Sequence, residues 1–244
     1  MNDKERFLLA KSYLEDSHTG YNIGTYKEKT QHMLLKFFYE TDMNYHEVPV
    51  DTYIADILND KGITEIQTAA FRALHDKLAV FLRDHNVKIV FPVHSRARTL
   101  WMDTLTGDIA YGKYSSYPKY QYKLFSELMN LSDLFPNENL TIDIVYLNVS
   151  KVRALDGYGP DKKKRATKLD IIPEEINGIT TISTIDDLKR LLPFEKGERV
   201  TSADISRKLG LKRISLWRAT KFLVSSDLLS QVDKKGNSII YEMS

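Results

Sequence analysis

The spacing of apolar positions predicts a chain of alternating helices and strands. Apolar residues recur every three or four positions in segments that predict amphipathic helices over 26–39, 69–84 and about 121–134. Short runs rich in β-branched and aromatic residues predict strands at 45–50, 52–58, 63–68, 87–93 and 140–149. Asp60, Lys61 and Gly62 supply a turn, so the second and third strands form a predicted hairpin. This order of elements predicts an α/β domain with a mixed sheet flanked by helices.

The rest of the body gives fewer signals. A hairpin is predicted over 99–113, with its turn at Thr106–Gly107, whereas residues 151–180 show no regular period and are expected to be irregular. Residues 183–193 begin with Ser and Thr before an acid pair, which predicts a helix start. Lys196 and Gly197 read as a linker, so we expect one domain over 1–195 and a second over 199–244.

The C-terminal segment differs from the body in pattern and in charge. It predicts a capped helix ending near Gly210, a second helix after a short turn, and two β-like runs around Lys234–Asn237. Residues 199–244 contain nine Lys or Arg and four Asp or Glu, which gives a net charge of +5. Residues 1–198 have a net charge of −3. A basic segment on a mildly acidic body is expected to meet a polyanion.

This helix–turn–helix–hairpin pattern resembles the winged helix-turn-helix module of bacterial DNA-binding proteins. The resemblance implies that the second helix enters the major groove, that the hairpin reaches phosphates, and that DNA is a partner. The DNA-contacting residues it implies are Lys212, Arg213, Ser215, Arg218, Lys234 and Lys235. Trp217 and Phe222 are expected in the module's core rather than as base-stacking platforms. Such modules also dock proteins and form homodimers, so both remain open.

Two acids stand on the predicted hairpin of the body. Folding it back brings Asp56 near Glu65, and Gln67 shares a strand face with Glu65 because residues two apart point the same way. Carboxylates so placed suit a hard cation. They also suit a solvated sheet edge, where charges discourage aggregation.

A helix bearing Glu28, a strand bearing Asp56 and a strand bearing Glu65-Ile66-Gln67 before a helix resemble the PD-(D/E)XK nuclease-like superfamily. The local sequence around these residues also resembles an uncharacterised family of bacterial proteins that joins this core to a C-terminal winged helix. The resemblance implies a restriction-endonuclease-like fold and catalytic roles for Glu28, Asp56, Glu65 and Gln67. It further implies that Asp56 and Glu65 bind Mg²⁺ (or Mn²⁺), with Glu28 behind them or on a second metal.

Gln67 departs from the family pattern, which has Lys at this position. An amide holds water by hydrogen bonds but carries no positive charge. Lys77 or Arg72 on the following helix is a candidate to supply that charge by reaching back, and otherwise the site is inactive. His32 lies one turn after Glu28 and is a candidate to line the same cleft, but the favoured interpretation is a histidine on the helix surface.

Composition and the absence of known motifs exclude several other classes of enzyme and of metal site. The chain has no cysteine, which excludes disulfides and thiolate metal sites. The six histidines form no HExxH pair, and no P-loop or Gly-x-Ser-x-Gly elbow occurs. No signal-peptide core or membrane-spanning run is present, so a cytoplasmic protein is expected. A metal-dependent nuclease leads; a non-enzymatic winged-helix regulator with a catalytically dead body is the alternative.

Overall fold

In a computed structural model of the chain, the described residues are 1–16, 29–68, 70–156, 166–236 and 238–244. The helices are α1 (Asp3–Asp16), α2 (Thr30–Tyr39), α3 (Phe71–Phe81), α4 (Lys123–Leu128), α5 (Ile185–Leu191), α6 (Ser202–Leu209) and α7 (Arg213–Ser225). The strands of the body are β1 (His46–Val50), β2 (Tyr53–Asn59), β3 (Gly62–Ile66), β4 (Val87–Met102), β5 (Ile109–Tyr111), β6 (Ser115–Ser116), β7 (Leu140–Ala154) and β8 (Thr167–Ile182). Three further strands follow, β9 (Arg199–Thr201), β10 (Leu229–Lys235) and β11 (Ser238–Met243).

The body is built on one mixed sheet with the order β1–β2–β3–β4–β7–β8, and β5 and β6 pair along β4. β1, β2 and β3 form an antiparallel meander, and α3 then leads to β4, which runs parallel to β3 and to β7. β8 returns antiparallel to β7. The expected α/β class, with a large mixed sheet between helices, is confirmed.

The two faces of the sheet carry separate apolar clusters. On one face, α1 and α2 pack against the sheet through residues such as Phe7, Leu34 and Val145. On the other face, α3 buries a stripe spaced as an amphipathic helix requires, and it packs there with residues of α4. α3 is therefore held against the sheet directly after β3, which places its side chains beside the β2–β3 hairpin.

Two parts of the body differ from the sequence expectation. The segment 151–180 was expected to be irregular, but its described residues hold the end of β7 and most of β8, while residues 157–165 lie outside the described residues. Register shifts interrupt the β7–β8 pairing and polar residues line β8, so the alternation that marks a strand is lost. α1 was not anticipated, because the exposed Leu8 and Leu9 obscure the buried stripe of Phe7, Ala10 and Leu14.

The C-terminal part forms a three-stranded sheet, β10–β11–β9, with α6 and α7 beside it. Thr201 and Asp204 form a reciprocal cap at the start of α6, and Gly210 ends that helix in the left-handed conformation (φ +69°). Phe222 of α7 and Phe125 of α4 belong to one apolar cluster, so the C-terminal part packs on the body. The boundary between 195 and 199 stays a prediction. No helix in the described ranges is both long and apolar enough to cross a membrane.

Candidate functional site

The β2–β3 hairpin holds the carboxylates of Asp56 and Glu65 side by side. Ile57 lies opposite Thr64 in the last pair of the antiparallel register, and the two acids are the residues directly beyond that pair on either strand. The backbone N–H of Asp56 donates to Glu65 Oε1 (3.0 Å), and the N–H of Ile66 donates to Asp56 Oδ2 (2.7 Å). Each carboxylate is therefore fixed by the backbone of the opposite strand, as the hairpin geometry requires.

The two carboxyl groups have opposite pKa shifts. Burial opposes ionisation of Asp56, but the hydrogen bond and charge of His32, the N–H of Ile66 and the charge of Lys77 together outweigh it and lower the pKa of Asp56. Burial and the charge of Asp56 raise the pKa of Glu65 to about 7, against the opposing effect of Lys77. Paired carboxylates whose surroundings separate their pKa values are typical of sites that bind cations or transfer protons.

Lys77 of α3 is the basic residue that reaches the pair. Its Nζ lies 2.6 Å from Glu65 Oε2, and the side-chain exposure is 19% for Lys77 and 4% for Glu65. The ammonium also lies 5.5 Å from the ring centroid of Phe81. Arg72, the other candidate on this helix, is exposed. Of the two alternatives left open by the sequence, Lys77 is the one that contacts Glu65.

His32 of α2 contacts the other carboxylate. Its Nε2 lies 3.1 Å from Asp56 Oδ2, and its side chain is 25% exposed. The favoured helix-surface interpretation of His32 is therefore wrong, since its side chain lies against Asp56. The hydrogen bond orients the carboxylate of Asp56 and favours its ionised form.

Gln67 and Glu28, the other two predicted catalytic residues, have different outcomes. Gln67 follows the last residue of β3 and is half-buried, and its side-chain Nε2 donates to the carbonyl of Ala70 (3.4 Å). Glu28 lies outside the described residues, so its role stays a prediction. Lys77, rather than Gln67, therefore has the contact that places positive charge at Glu65.

The donor set at the hairpin suits a hard divalent cation better than a soft one. Asp56 and Glu65 offer carboxylate oxygens in a buried setting, and their like charges repel, as the raised pKa of Glu65 shows. In the described part of the chain, no group of three or more His, Cys, Asp or Glu side chains is placed to hold a metal ion. Among the described residues, protein ligation at this site would thus rest on two carboxylates, with the remaining positions left for water and substrate.

The residues expected to contact DNA lie on α7 and at the tip of the β10–β11 hairpin. Lys212, Arg213, Lys234 and Lys235 are exposed, whereas Ser215 and Arg218 are half-buried. Arg213 has φ +51° at the start of α7, in the left-handed region that costs a non-glycine residue about 1 kcal/mol. Its side chain lines a groove of about 450 Å³ between α7 and the hairpin.

Trp217 was expected in the core of the C-terminal part, but it lies on the surface. Its side chain is 60% exposed on α7, and Ile214, one turn earlier, is 69% exposed, whereas Phe222 is fully buried as expected. The same helical period places Ala219, Phe222 and Leu223 on the buried face, which leaves Trp217 on the opposite side. Trp217 instead lines the groove together with Arg213 and Lys221.

Comparison with known proteins gives a family but no activity. The model of a domain of unknown function, DUF8091, matches residues 29–183, which is more than half of the chain. An uncharacterized protein of Treponema pallidum (strain Nichols) is 29% identical over 151 residues, covering 61% of this chain and 59% of that protein. The chain thus matches less than two thirds of that relative's length. No solved structure matches the chain.

Proposed function

The chain belongs to the family of the domain of unknown function DUF8091, and we propose that it is a metal-dependent nuclease that cleaves DNA at the Asp56–Glu65 pair. The observation that carries this proposal is the largely enclosed carboxylate pair with an ammonium group, Lys77 Nζ, 2.6 Å from one of its oxygens. Two acids suit the metal of metal-assisted phosphodiester hydrolysis, and a lysine beside them matches the PD-(D/E)XK pattern. A structural ion pair alone does not require the second acid.

The order of elements around the pair supports the proposal. α2, the β1–β2–β3 meander, α3 and the parallel β4 follow one another along the chain. This order agrees with the layout of the PD-(D/E)XK nuclease-like superfamily, in which the acids stand on the second and third strands. The proposal therefore includes a restriction-endonuclease-like fold for the body.

In this proposal, each residue of the site has a role that follows from its contacts. Asp56 and Glu65 supply oxygens to a Mg²⁺ or Mn²⁺ ion, and His32 keeps Asp56 ionised and oriented. The ion, when bound, stabilises the charge that develops on the phosphate and activates water. Lys77 takes the role of the lysine that the family pattern has at the position of Gln67. Its charge opposes the rise in the pKa of Glu65, and in the proposed reaction it would help to stabilise negative charge on the phosphate.

The C-terminal part supplies a DNA-binding surface in this proposal. α6, α7 and the β10–β11 hairpin follow the order of a winged helix-turn-helix module, and the net charge of +5 over residues 199–244 favours a phosphate backbone. Arg213 and the hairpin lysines Lys234 and Lys235 are exposed for that contact. Because α7 packs on α4 of the body, DNA bound there is tethered to the proposed nuclease.

A specific observation favours the second candidate, a DNA-binding regulator with an inactive body. Both oxygens of Glu65 already accept hydrogen bonds, from the Asp56 backbone and from Lys77. An ammonium held at that place is able to replace a metal ion electrostatically, which would preserve the fold without catalysis. This candidate predicts DNA binding that depends on Arg213 and is indifferent to divalent cations.

A cleavage assay with paired variants separates the two candidates. Purified full-length protein is incubated with plasmid, linear duplex and single-stranded DNA in Mg²⁺, Mn²⁺ or EDTA. We expect cleavage that EDTA abolishes and that Asp56→Asn and Glu65→Gln each slow at least about 100-fold. Asp60→Asn, which changes an exposed acid in the turn of the same hairpin, is the matched control and should cleave normally.

Two results of this assay would contradict the proposed nuclease. Equal cleavage by wild type and Asp56→Asn would assign the activity to a contaminant. No cleavage of any substrate, together with binding that is unchanged in EDTA and weakened in Arg213→Ala, would support the regulator instead.

A further inference from the structure

Tyrosines recur at every third position between β5 and α4. Tyr111, Tyr114, Tyr117 and Tyr120 occupy these positions in the segment YGKYSSYPKY. Three of them are exposed, by 65% at Tyr111, 36% at Tyr114 and 40% at Tyr117, and Tyr120 is half-buried. Exposed aromatic rings grouped in one short segment indicate a binding surface rather than a core.

Each of these rings lies beside a basic side chain. The pairs, with the distance from cation to ring centroid, are Arg98–Tyr111 (5.1 Å), Arg96–Tyr114 (5.0 Å), Lys151–Tyr117 (5.1 Å) and Lys123–Tyr120 (3.9 Å). We call these eight residues the tyrosine surface. All four distances are within about 6 Å, the range over which a ring face attracts a cation.

The positive charge of the tyrosine surface is poorly compensated. Burial and the charges of Arg153, Lys123 and Lys168 lower the pKa of Lys151. Within the described ranges, neither Lys123 nor Lys151 forms an ion pair with an acid. Arg98 differs, since it pairs with Glu174 at 2.9 Å. Repulsion among cations that no acid relieves favours binding of a polyanion.

Contacts between buried side chains link the tyrosine surface to the carboxylate pair. Tyr120 stacks on His94 with ring centroids 5.6 Å apart and planes inclined by 18°. His94 Nε2 lies 2.8 Å from Oε1 of Gln31 on α2. The next residue of that helix, His32, contacts Asp56. Side chains of β4 and α2 therefore connect one end of the tyrosine surface to the proposed nuclease site.

We infer that the tyrosine surface binds single-stranded nucleic acid, with bases stacked on the tyrosine rings and phosphates against Arg96, Lys123 and Lys151. Interleaved aromatic and basic side chains are the elements of single-strand binding surfaces. Duplex bases are stacked on one another and present only their edges, so flat exposed rings select an unpaired strand. That this strand is the one delivered to Asp56 and Glu65 rests on the proposed function; the binding itself does not.

The test is a measurement of nucleic-acid binding in EDTA, which removes divalent cations and so prevents metal-dependent cleavage. Fluorescence anisotropy is measured with full-length protein and labelled single strands of about 20 nucleotides, oligo-dT and oligo-rU, and with a duplex of equal length. We expect Tyr117→Ala and Tyr114→Ala each to weaken single-strand binding at least about fivefold, while duplex affinity is unchanged. Tyr117→Phe keeps the ring and should bind as wild type does.

The controls use matched side chains elsewhere. Tyr45→Ala removes a tyrosine that is 44% exposed outside the tyrosine surface and should leave binding unchanged. Lys123→Gln and Lys151→Gln should each reduce the salt dependence of single-strand binding by about 0.7 in log–log slope. Lys196→Gln, which changes an exposed lysine near the domain junction, should not.

Three results would overturn the inference. They are an absence of single-strand binding by wild type, equal affinity of wild type and Tyr117→Ala, and equal weakening by Tyr117→Phe and Tyr117→Ala. Tyrosine-dependent binding by a protein that cleaves nothing would refute the proposed nuclease and leave this inference standing. Metal-dependent cleavage with no single-strand binding would do the reverse.

Discussion

Lys77 Nζ lies 2.6 Å from Glu65 Oε2, although the two residues belong to different elements, α3 and β3. The contact compensates a carboxylate whose side chain is only 4% exposed. The contact also places the positive charge on α3, whereas the PD-(D/E)XK pattern that the sequence resembles has its lysine at the position of Gln67. The lysine is therefore the residue whose replacement separates a catalytic role from a structural one.

Lys77→Met is expected to stop cleavage and to leave Asp56 in place. Without the ammonium, the pKa of Glu65 rises further, so this group is protonated at neutral pH. We expect a loss of cleavage of at least about 100-fold and a loss of stability of about 1–2 kcal/mol. Lys61→Met, in the exposed hairpin turn, is the control. Full cleavage by Lys77→Met in a Mg²⁺ assay would remove Lys77 from the proposed chemistry.

Glu65 should make stability depend on pH in metal-free protein. Its pKa is raised from 4.5 to about 7 on folding, so the folded chain holds a proton that the unfolded chain releases. The resulting contribution is fully present below about pH 4.5 and is lost as pH rises through about 7. Relative to Glu65→Gln, the wild type should lose up to about 3 kcal/mol over that interval. Urea unfolding of both proteins in EDTA measures it, and parallel pH profiles would show that Glu65 is not perturbed.

Gly62 should be indispensable to the hairpin that carries the two acids. It has φ +108°, and a Cβ there would lie 2.3 Å from the backbone oxygen of Asn86. Gly62→Ala should therefore cost at least about 2 kcal/mol in unfolding free energy. Gly107→Ala is the matched control, because Gly107 has φ +78° but no atom near the added carbon. If both variants cost the same, the close approach to Asn86 is not limiting.

Arg213→Ala should weaken duplex DNA binding about tenfold and lower its salt dependence by about one phosphate contact. Arg213 is exposed at the start of α7, where the resemblance to a winged helix places a DNA contact. Arg83→Ala changes an exposed arginine just after α3 and serves as the control. A gel-shift titration at two salt concentrations provides the measurement, and an unchanged affinity would argue that α7 docks a protein instead.

Local patterns predicted the hairpin and its flanking helices well. The turn residues Asp60–Gly62 and the alternation in β2 place Asp56 beside Glu65 without any long-range information. The stripe of Phe71, Leu74, Leu78 and Phe81 likewise defines α3. These features depend on residues that are close in sequence, and so the sequence alone was sufficient.

Contacts between elements were not determined by those patterns. Lys77 and His32 reach the acids only because α3 and α2 pack at a particular depth and rotation on the sheet, so the sequence left each as one of two alternatives. Trp217 was placed wrongly, since a single large apolar residue on a helix does not reveal which side is covered. The regular tyrosine spacing at 111–120 was a signal in the sequence, but its meaning required the cations that β4, β7 and α4 bring beside it.

Binding of Mn²⁺ to the metal-free protein tests most directly whether Asp56 and Glu65 share a divalent cation. Isothermal titration calorimetry near pH 7.5, where Glu65 is mostly ionised, would compare wild type with Asp56→Asn and Asp60→Asn. We predict one Mn²⁺ site in wild type and Asp60→Asn, and an affinity at least about tenfold lower in Asp56→Asn. Equal Mn²⁺ affinity in wild type and Asp56→Asn, or no binding to wild type, would contradict the account.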